Sequence, residues 1–197
     1  MAYSSDNYLK HTHPNLLYQC STLHFMHRLY RLLDKTGAQS VLEIGSGEGF
    51  VLDYLVKRQP GLAYTGTDLN WEAVQMARRI SAPGTAYACA HGALMPFPDR
   101  CFDVVLLSEV LEHVPAPEAV LAEALRLSRA YLLVTVPLEP LFQSLSRLLI
   151  WLKAGRDPGH INFWSGPAFK RWLGCQVDLI HHERCELYQL ALCRRLD

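Results

Sequence analysis

Three closely spaced glycines form the part of this sequence best suited to bind a ligand. They are Gly45, Gly47 and Gly49. They follow an apolar run at 41–44, which predicts a buried strand that ends in a tight loop and leads into a helix. Because glycine lacks a Cβ atom, the backbone can turn sharply there and a ligand can approach the bare amides at the start of the helix. The segment is therefore predicted to be a ligand-binding loop.

An aspartate follows this loop at the distance expected of a ribose-binding residue. Asp68 ends a second predicted strand at 63–68, about twenty residues after the glycines, where nucleotide-binding α/β folds place an acid. A carboxylate can accept hydrogen bonds from both vicinal hydroxyls of a ribose. The dinucleotide pattern G-x-G-x-x-G would need a glycine in place of Phe50, and no phosphate-loop Lys-Ser or Lys-Thr pair follows. The spacing therefore argues against an NAD-dependent oxidoreductase.

Two histidines could supply a base on the opposite side of such a site. His113 follows a predicted fourth strand and could take a proton from a substrate hydroxyl, or it could orient the loop before Pro115. His160 lies in an aromatic and polar loop at 155–165 and could act in the same way. In that loop, Arg156 could attract an anionic acceptor and Trp164 could form an aromatic wall. The alternative is a structural loop in which Trp164 packs and His160 bonds to backbone.

Four ordered signals over residues 41–114 resemble one enzyme family. They are the pattern E-x-G-x-G-x-G at 43–49, Asp68, the segment L-M-P-F-P-D-R-C-F-D at 94–103, and S-E-V-L-E-H-V at 108–114. Together they resemble the class I S-adenosylmethionine (SAM) dependent methyltransferases. The last signal is similar to the "VLEHV" signature of the subgroup that includes the ubiquinone and menaquinone biosynthesis methyltransferases.

The resemblance implies that the chain binds SAM and releases S-adenosylhomocysteine (SAH). The glycine loop would hold the methionyl end, Asp68 the ribose, and Leu69 and His91 the adenine. The family commonly has Asp-Ala where this chain has His91 and Gly92, and that aspartate accepts a hydrogen bond from the adenine amino group. His91 could accept only as a neutral ring with an unprotonated nitrogen, or the backbone could take over. The implied cofactor residues are Glu43, Gly45, Ser46, Gly47, Gly49, Asp68, Leu69, His91, Gly92, Ser108 and Glu109.

The alternation of strands and helices predicts a parallel sheet with helices on both faces. The resemblance implies a Rossmann-like three-layer α/β/α sandwich, with a seven-stranded, mostly parallel sheet and an antiparallel last strand. We expect a single methyltransferase domain over 1–197. Its parts would be an N-terminal arm and helix (1–37), the SAM-binding core (38–136), an acceptor-side insertion (137–175) and closing strands (176–197).

Two segments leave alternatives open. The polar arm at 1–15, with Tyr8 as a candidate acceptor contact, could fold over the site as a lid or could be a disordered end. The segment 141–153 is apolar around most of its predicted helix. It could be sandwiched in the core, line a greasy acceptor pocket, or touch a membrane surface.

Composition limits the partners. The formal net charge is zero, with 19 basic and 19 acidic residues, so a nucleic-acid partner is disfavoured. No apolar run reaches the roughly 18 residues of a membrane span, and the N-terminus carries no signal-peptide core. Six scattered cysteines indicate reduced thiols in a cytoplasmic protein. We expect no metal, because the sulfonium of SAM is already electrophilic, and we interpret His181, His182 and Cys185 as structural.

The sequence therefore predicts methyl transfer from SAM to a small-molecule or lipid-like acceptor, with a hydroxyl oxygen favoured over carbon or nitrogen. The alternative is a SAM-binding fold that has lost catalysis and serves as a partner-binding subunit. The departure at His91 favours this alternative slightly, whereas the glycine loop and Asp68 argue against it. The acceptor and the oligomeric state stay open.

Overall fold

A seven-stranded sheet organises the part of the chain that the computed structural model describes, residues 16–142, 144 and 159–196. Its strands are β1 (Ser40–Ile44), β2 (Ala63–Asp68), β3 (Thr85–Cys89), β4 (Phe102–Ser108), β5 (Ser128–Pro137), β6 (Asp178–Cys185) and β7 (Tyr188–Arg194). The helices used below are α1 (Leu16–Asp34), α2 (Phe50–Val56), α3 (Trp71–Ile80), α4 (Pro117–Leu127) and α5 (Gly166–Gly174).

The strand order is β3-β2-β1-β4-β5-β7-β6. The first five strands pair in parallel, and β7 pairs antiparallel with both β5 and β6. This confirms the predicted fold class and the antiparallel last strand. The order reverses between β1 and β4, and open α/β sheets bind their ligands at the carboxyl ends of strands at such a switch point. The ends of these two strands therefore define where the site should lie.

The two faces of the sheet bury separate cores, because successive side chains of a strand point to opposite faces. In β4, Val104 and Leu106 join the core formed with α1, α2 and α3, whereas Val105 and Leu107 join the core formed with α4 and α5. The result is the predicted three-layer sandwich.

The sequence predicts a helix from Phe50 to Arg58, an N-cap at Asn70 and a strand from Tyr131 to Val136, and the structure differs from these predictions at element ends. Asn70 caps α3 as predicted, since its Oδ1 accepts from the Glu72 amide at 2.9 Å. β5 begins at Ser128 rather than at Tyr131, because Ser128 pairs with Phe102 at the start of β4. α2 ends at Val56, two residues before the predicted end.

Several predictions lie outside the described residues. Tyr8, Arg156 and most of the apolar segment 141–153 are among them. The division of the chain into functional parts also stays a prediction. Within the described ranges, the helices lack the length and apolarity needed to cross a membrane.

Candidate active site

The glycine loop at the end of β1 is tied to the end of β2. The amides of Gly45 and Ser46 both donate to the Thr67 carbonyl, at 2.7 and 2.8 Å. The loop needs its glycines, since Gly45, Gly47 and Gly49 have φ values of 75°, 50° and 80°. In a residue with a Cβ atom, this left-handed conformation costs conformational free energy. The loop is therefore built as the sequence predicts.

Neighbouring side chains close around two of these glycines. A Cβ on Gly45 would lie 2.5 Å from Val110 Cγ2, so the loop touches the segment that follows β4. A Cβ on Gly49 would lie 2.5 Å from the Tyr87 hydroxyl and 2.9 Å from Ser81 Oγ. Space as well as backbone conformation therefore requires glycine at both positions.

We expect Gly49→Ala to lower the free energy of unfolding by about 2 kcal/mol. Roughly half of this is the left-handed backbone, and the rest is the displaced Tyr87–Ser81 hydrogen bond. The matched control is Gly84→Ala, where φ is also positive (98°) but no heavy atom lies within 4 Å of the added Cβ. Urea unfolding should give a smaller loss, about 1 kcal/mol, for the control. Equal losses in the two variants would contradict the close packing of Gly49.

Asp68 shapes the glycine loop with both of its oxygens. Its Oδ2 accepts from the Gly47 amide and its Oδ1 accepts from the Asn70 amide, each at 2.8 Å. Each carboxylate oxygen keeps lone pairs for further donors. Asp68 therefore joins the loop to the start of α3 and can still accept ribose hydroxyls, as its predicted role requires.

Glu43 is a buried acid beneath the loop. It is 1% exposed, and its Oε2 makes no hydrogen bond within the described part of the chain. Burial, followed by the negative charge of Asp68, raises its pKa to about 8. The nearby Ser46 Oγ is likewise buried and has no hydrogen-bond partner among the described residues. Buried polar atoms of this kind require partners, and the polar methionyl end of SAM would fit them.

The raised pKa makes stability depend on pH. The folded chain keeps the Glu43 proton up to about pH 8, whereas the unfolded chain loses it near 4.5. Between these values the folded state binds more protons, so this group makes stability fall as pH rises, by at most about 1.4 kcal/mol per pH unit. Glu43→Gln should remove this slope. In urea unfolding from pH 5 to 8, the stability of the wild type minus that of Glu43→Gln should therefore fall steadily, and a constant difference would contradict the assignment.

His91 is exposed at the end of β3, and its ring is oriented by the turn that follows. The Ala93 amide donates to His91 Nδ1 at 3.2 Å, and the Leu94 amide donates to the His91 carbonyl at 2.9 Å. Because Nδ1 accepts, the neutral ring carries its proton on Nε2. The exposed Nε2 is then a donor, whereas accepting from the adenine amino group would need an unprotonated nitrogen or a backbone carbonyl, and the adenine role of His91 stays a prediction. Gly92 lies beside it, and its added Cβ would be 3.3 Å from Ile44.

The segment after β4 begins with a strained residue. Glu109 has φ 56°, which is uncommon for a residue with a side chain and typical of functional sites. Its amide donates to the Thr135 carbonyl at 3.2 Å, and Thr135 Oγ1 also contacts the buried Ser108. Ser108 and Glu109 thus lie at the carboxyl end of β4, beside the glycine loop. Leu69 is exposed at the end of β2. Their cofactor roles stay predictions.

The two candidate catalytic histidines come from distant segments and lie side by side. His113 contacts the carbonyl of Gly159, the residue before His160, across 46 positions of the chain. The rings of His113 and His160 pack edge to face, with centroids 4.8 Å apart. Asn162 holds the second loop in place, since its Nδ2 donates to the carbonyls of Leu111 and Val114 at 2.9 and 2.7 Å. Asn162 is not among the site residues predicted from the sequence. Asn162 could have been predicted only from its position two residues after His160, in a loop without a strand or helix pattern.

Trp164 is buried rather than exposed at this site. Its ring lies 5.3 Å from that of Trp172 and 6.3 Å from that of Phe169, both on α5. The Trp164 carbonyl accepts from Gln189 Nε2 at 2.9 Å. These contacts favour the packing alternative for Trp164, and its role as an acceptor wall stays a prediction.

The histidines of β6 make contacts within the sheet, which agrees with their interpretation as structural residues. His181 pairs with Glu183 at 2.9 Å, and His182 contacts Gln189 at 3.2 Å. Burial lowers the pKa of His182 and therefore favours its neutral form. Burial also raises the pKa of the Cys185 thiol to about 11, so its thiolate is disfavoured at neutral pH. These side chains belong to the closing hairpin and not to the site.

Comparisons with solved structures agree with the fold. The magnesium protoporphyrin IX methyltransferase of Synechocystis PCC 6803, solved with bound SAH, superimposes with a TM-score of 0.71 at 14% identity, over 92% of this chain and 88% of its own. A Pyrococcus horikoshii OT3 protein superimposes with a TM-score of 0.72 at 15% identity, over 98% of this chain and 100% of its own.

Comparisons of sequence give the family. The phthiotriol/phenolphthiotriol dimycocerosates methyltransferase of Mycobacterium tuberculosis is 33% identical over 108 residues, 54% of this chain and 40% of that protein. An uncharacterized methyltransferase of Mycobacteroides abscessus is 30% identical over 68% of this chain and 49% of its own length. The chain thus spans less than half the length of these curated relatives. The profile of a methyltransferase domain matches residues 17–176, and the chain belongs to this methyltransferase domain family.

Proposed function

We propose that this chain transfers the methyl group of SAM to a hydroxyl oxygen of a small-molecule or lipid-like acceptor. The observation that carries the proposal is the contact between His113 and His160 at the carboxyl end of β4. This end lies beside the glycine loop, because β1 and β4 are paired and Val110 closes on Gly45. A ligand in the loop and a hydroxyl beside the imidazoles would therefore be neighbours.

The chain's own groups suit the parts of SAM. The glycine loop with Glu43 and Ser46 would hold the methionyl end, and Asp68 would accept from the ribose hydroxyls. His91 Nε2 would donate to a ring nitrogen of the adenine. When bound, SAM supplies an electrophilic methyl group on a positively charged sulfur. The remaining task of the chain is to align the acceptor in line with that methyl group and to remove the hydroxyl proton.

The acceptor class rests on two observations. Exposed apolar side chains follow His160 in its loop, namely Ile161 and Phe163, and Leu141 is also exposed. The mycobacterial relative is named as a methyltransferase of dimycocerosates. Both favour an apolar acceptor, and the matching S-E-V-L-E-H-V segment supports a place in the subgroup with the quinone-biosynthesis enzymes. The free cysteines of the described part favour a cytoplasmic location.

The proposed contact of His91 gives a test of cofactor binding. His91→Phe should raise the Kd for SAH about fivefold, because one neutral hydrogen bond contributes about 1 kcal/mol. His91→Asp, which restores an acceptor, should discriminate several-fold more strongly than the wild type against SAH dimethylated on the adenine amino group. The same discrimination in both proteins, measured by calorimetric titration, would contradict the donor role.

The direct experiment is a methyl-transfer assay with SAM labelled in its methyl group. A panel of apolar phenols and alcohols should yield labelled ethers that extract into organic solvent. The matching amines and thiols should react less. SAM binding without transfer to any acceptor would instead favour the non-catalytic, partner-binding alternative.

A further inference from the structure

Glu112, His113 and His160 converge on one point. One ligand atom of each, a carboxylate oxygen and two imidazole nitrogens, lies within 4.8 Å of the others. Glu112 is fully buried, His113 is exposed and His160 is half-buried. Two separate segments therefore bring a carboxylate and two imidazoles together at the acceptor side of the proposed site.

This donor set suits a divalent transition metal. Two imidazoles and one carboxylate bind Zn²⁺ and its neighbours in the first row, and they leave a position open for another oxygen. Ligand atoms about 2 Å from a metal lie roughly 3 to 4 Å apart. The observed separations therefore require only a small contraction, which the exposed His113 side chain can make.

The surrounding contacts hold the donors in position. His113 Nδ1 lies 3.4 Å from the Gly159 carbonyl, and metal-binding histidines commonly donate their second ring N–H to such an oxygen. This arrangement leaves His113 Nε2 as the ligand atom. The Glu112 carbonyl accepts from the amides of Ile161 and Asn162, at 2.8 and 3.1 Å, so the loop of His160 is fastened to the residue that supplies the carboxylate.

A second cluster lacks these properties. His24, Cys185 and Glu186 also converge, but His24 Nδ1 already contacts a Glu186 oxygen at 3.1 Å. The other Glu186 oxygen accepts a hydrogen bond from Ser21 Oγ, so both carboxylate oxygens of this cluster are already engaged. This cluster therefore serves as an internal control for the first.

We propose that Glu112, His113 and His160 bind a Zn²⁺-class divalent cation that coordinates the acceptor hydroxyl. This inference rests on the proposed O-methylation, and it replaces direct proton removal by an imidazole with acidification of the hydroxyl by the cation. The hydroxyl proton passes to solvent. The oxygen electron pair forms the new O–CH₃ bond, and the electron pair of the S–CH₃ bond returns to sulfur. The step needs no oxidant or reductant.

The test is a cobalt titration of the tag-free protein after removal of metals with EDTA. The wild type should bind one equivalent of Co²⁺ with a visible absorption band, and Zn²⁺ should displace it. His160→Ala and Glu112→Gln should each weaken binding at least a hundredfold, whereas His24→Ala should bind as the wild type does. His113→Ala offers an independent ligand deletion, which covers the case that the buried Glu112 tolerates no change.

The outcomes separate this inference from the proposed function. Absence of saturable Co²⁺ binding by the wild type, or unchanged binding by His160→Ala, overturns the metal site. Ether formation that persists in excess EDTA also overturns it, while it leaves O-methylation intact. Cobalt binding with transfer only to nitrogen or carbon would instead overturn the proposed function.

Discussion

Replacing Asp68 with alanine should raise the Kd for SAM at least a hundredfold. The substitution removes the carboxylate that accepts from Gly47 and Asn70, each at 2.8 Å, and with it the proposed acceptor for the ribose hydroxyls. A hydrogen bond to a charged group contributes about 1.5–3 kcal/mol. Losing the two proposed bonds from the ribose hydroxyls therefore accounts for this increase in Kd. The glycine loop also loses the contact that sets the direction of the Gly47 amide.

Calorimetric titration with SAM and SAH measures this effect. Asp68→Asn keeps one oxygen acceptor and should fall between the wild type and Asp68→Ala. The matched control is Asp99→Ala, which removes an exposed aspartate paired with Arg126 away from the glycine loop and should leave the Kd unchanged. An Asp68→Ala protein that binds SAM as tightly as the wild type would remove Asp68 from the cofactor site.

His160→Gln should lower the rate of methyl transfer to a hydroxyl acceptor by a factor of about 10² to 10³ while the Kd for SAM stays unchanged. Removing a group that takes or acidifies the reacting proton typically costs this much. The neighbouring His113 contacts His160 and keeps its own contact with the Gly159 carbonyl, so it holds a fixed position and does not move into the place of the lost ring. The effect should therefore appear in turnover and not in cofactor binding.

The control for this variant is His27→Gln, an exposed histidine on α1 that lies in neither metal-type cluster. Single-turnover assays should give wild-type rates for His27→Gln and slow rates for His160→Gln. If both variants transfer methyl groups at the wild-type rate, the histidine pair has no part in the chemistry.

The strands and helices of the core could be predicted because their signals are local. Three of the four residues at 41–44 are large and apolar, and Asn70 has the side chain that caps a helix. The extra residues of β5 could not be predicted in this way, since Ser128 and Arg129 have no strand preference. Ser128 is extended because it pairs with Phe102 in β4.

The sequence predicted which residues lie at the site better than it predicted what their side chains do there. Spacing identified the glycine loop and Asp68, but not that both Asp68 oxygens bind backbone amides. The donor character of His91 depends on the Ala93 amide, and the burial of Trp164 depends on α5. Glu112 lies within the recognised S-E-V-L-E-H-V segment, and only the tertiary structure brings His160 to it. Such contacts between distant segments leave no periodic signal in a sequence.

The most direct test of the central claim is to identify the atom that receives the methyl group. The purified protein should be incubated with carbon-13 methyl-labelled SAM and a mixed panel of apolar alcohols, phenols, amines and thiols, and the products examined by carbon NMR. We expect the label in methyl ethers, with SAH formed in equal amount. Label found on nitrogen, carbon or sulfur, or SAM bound without any transfer, would contradict it.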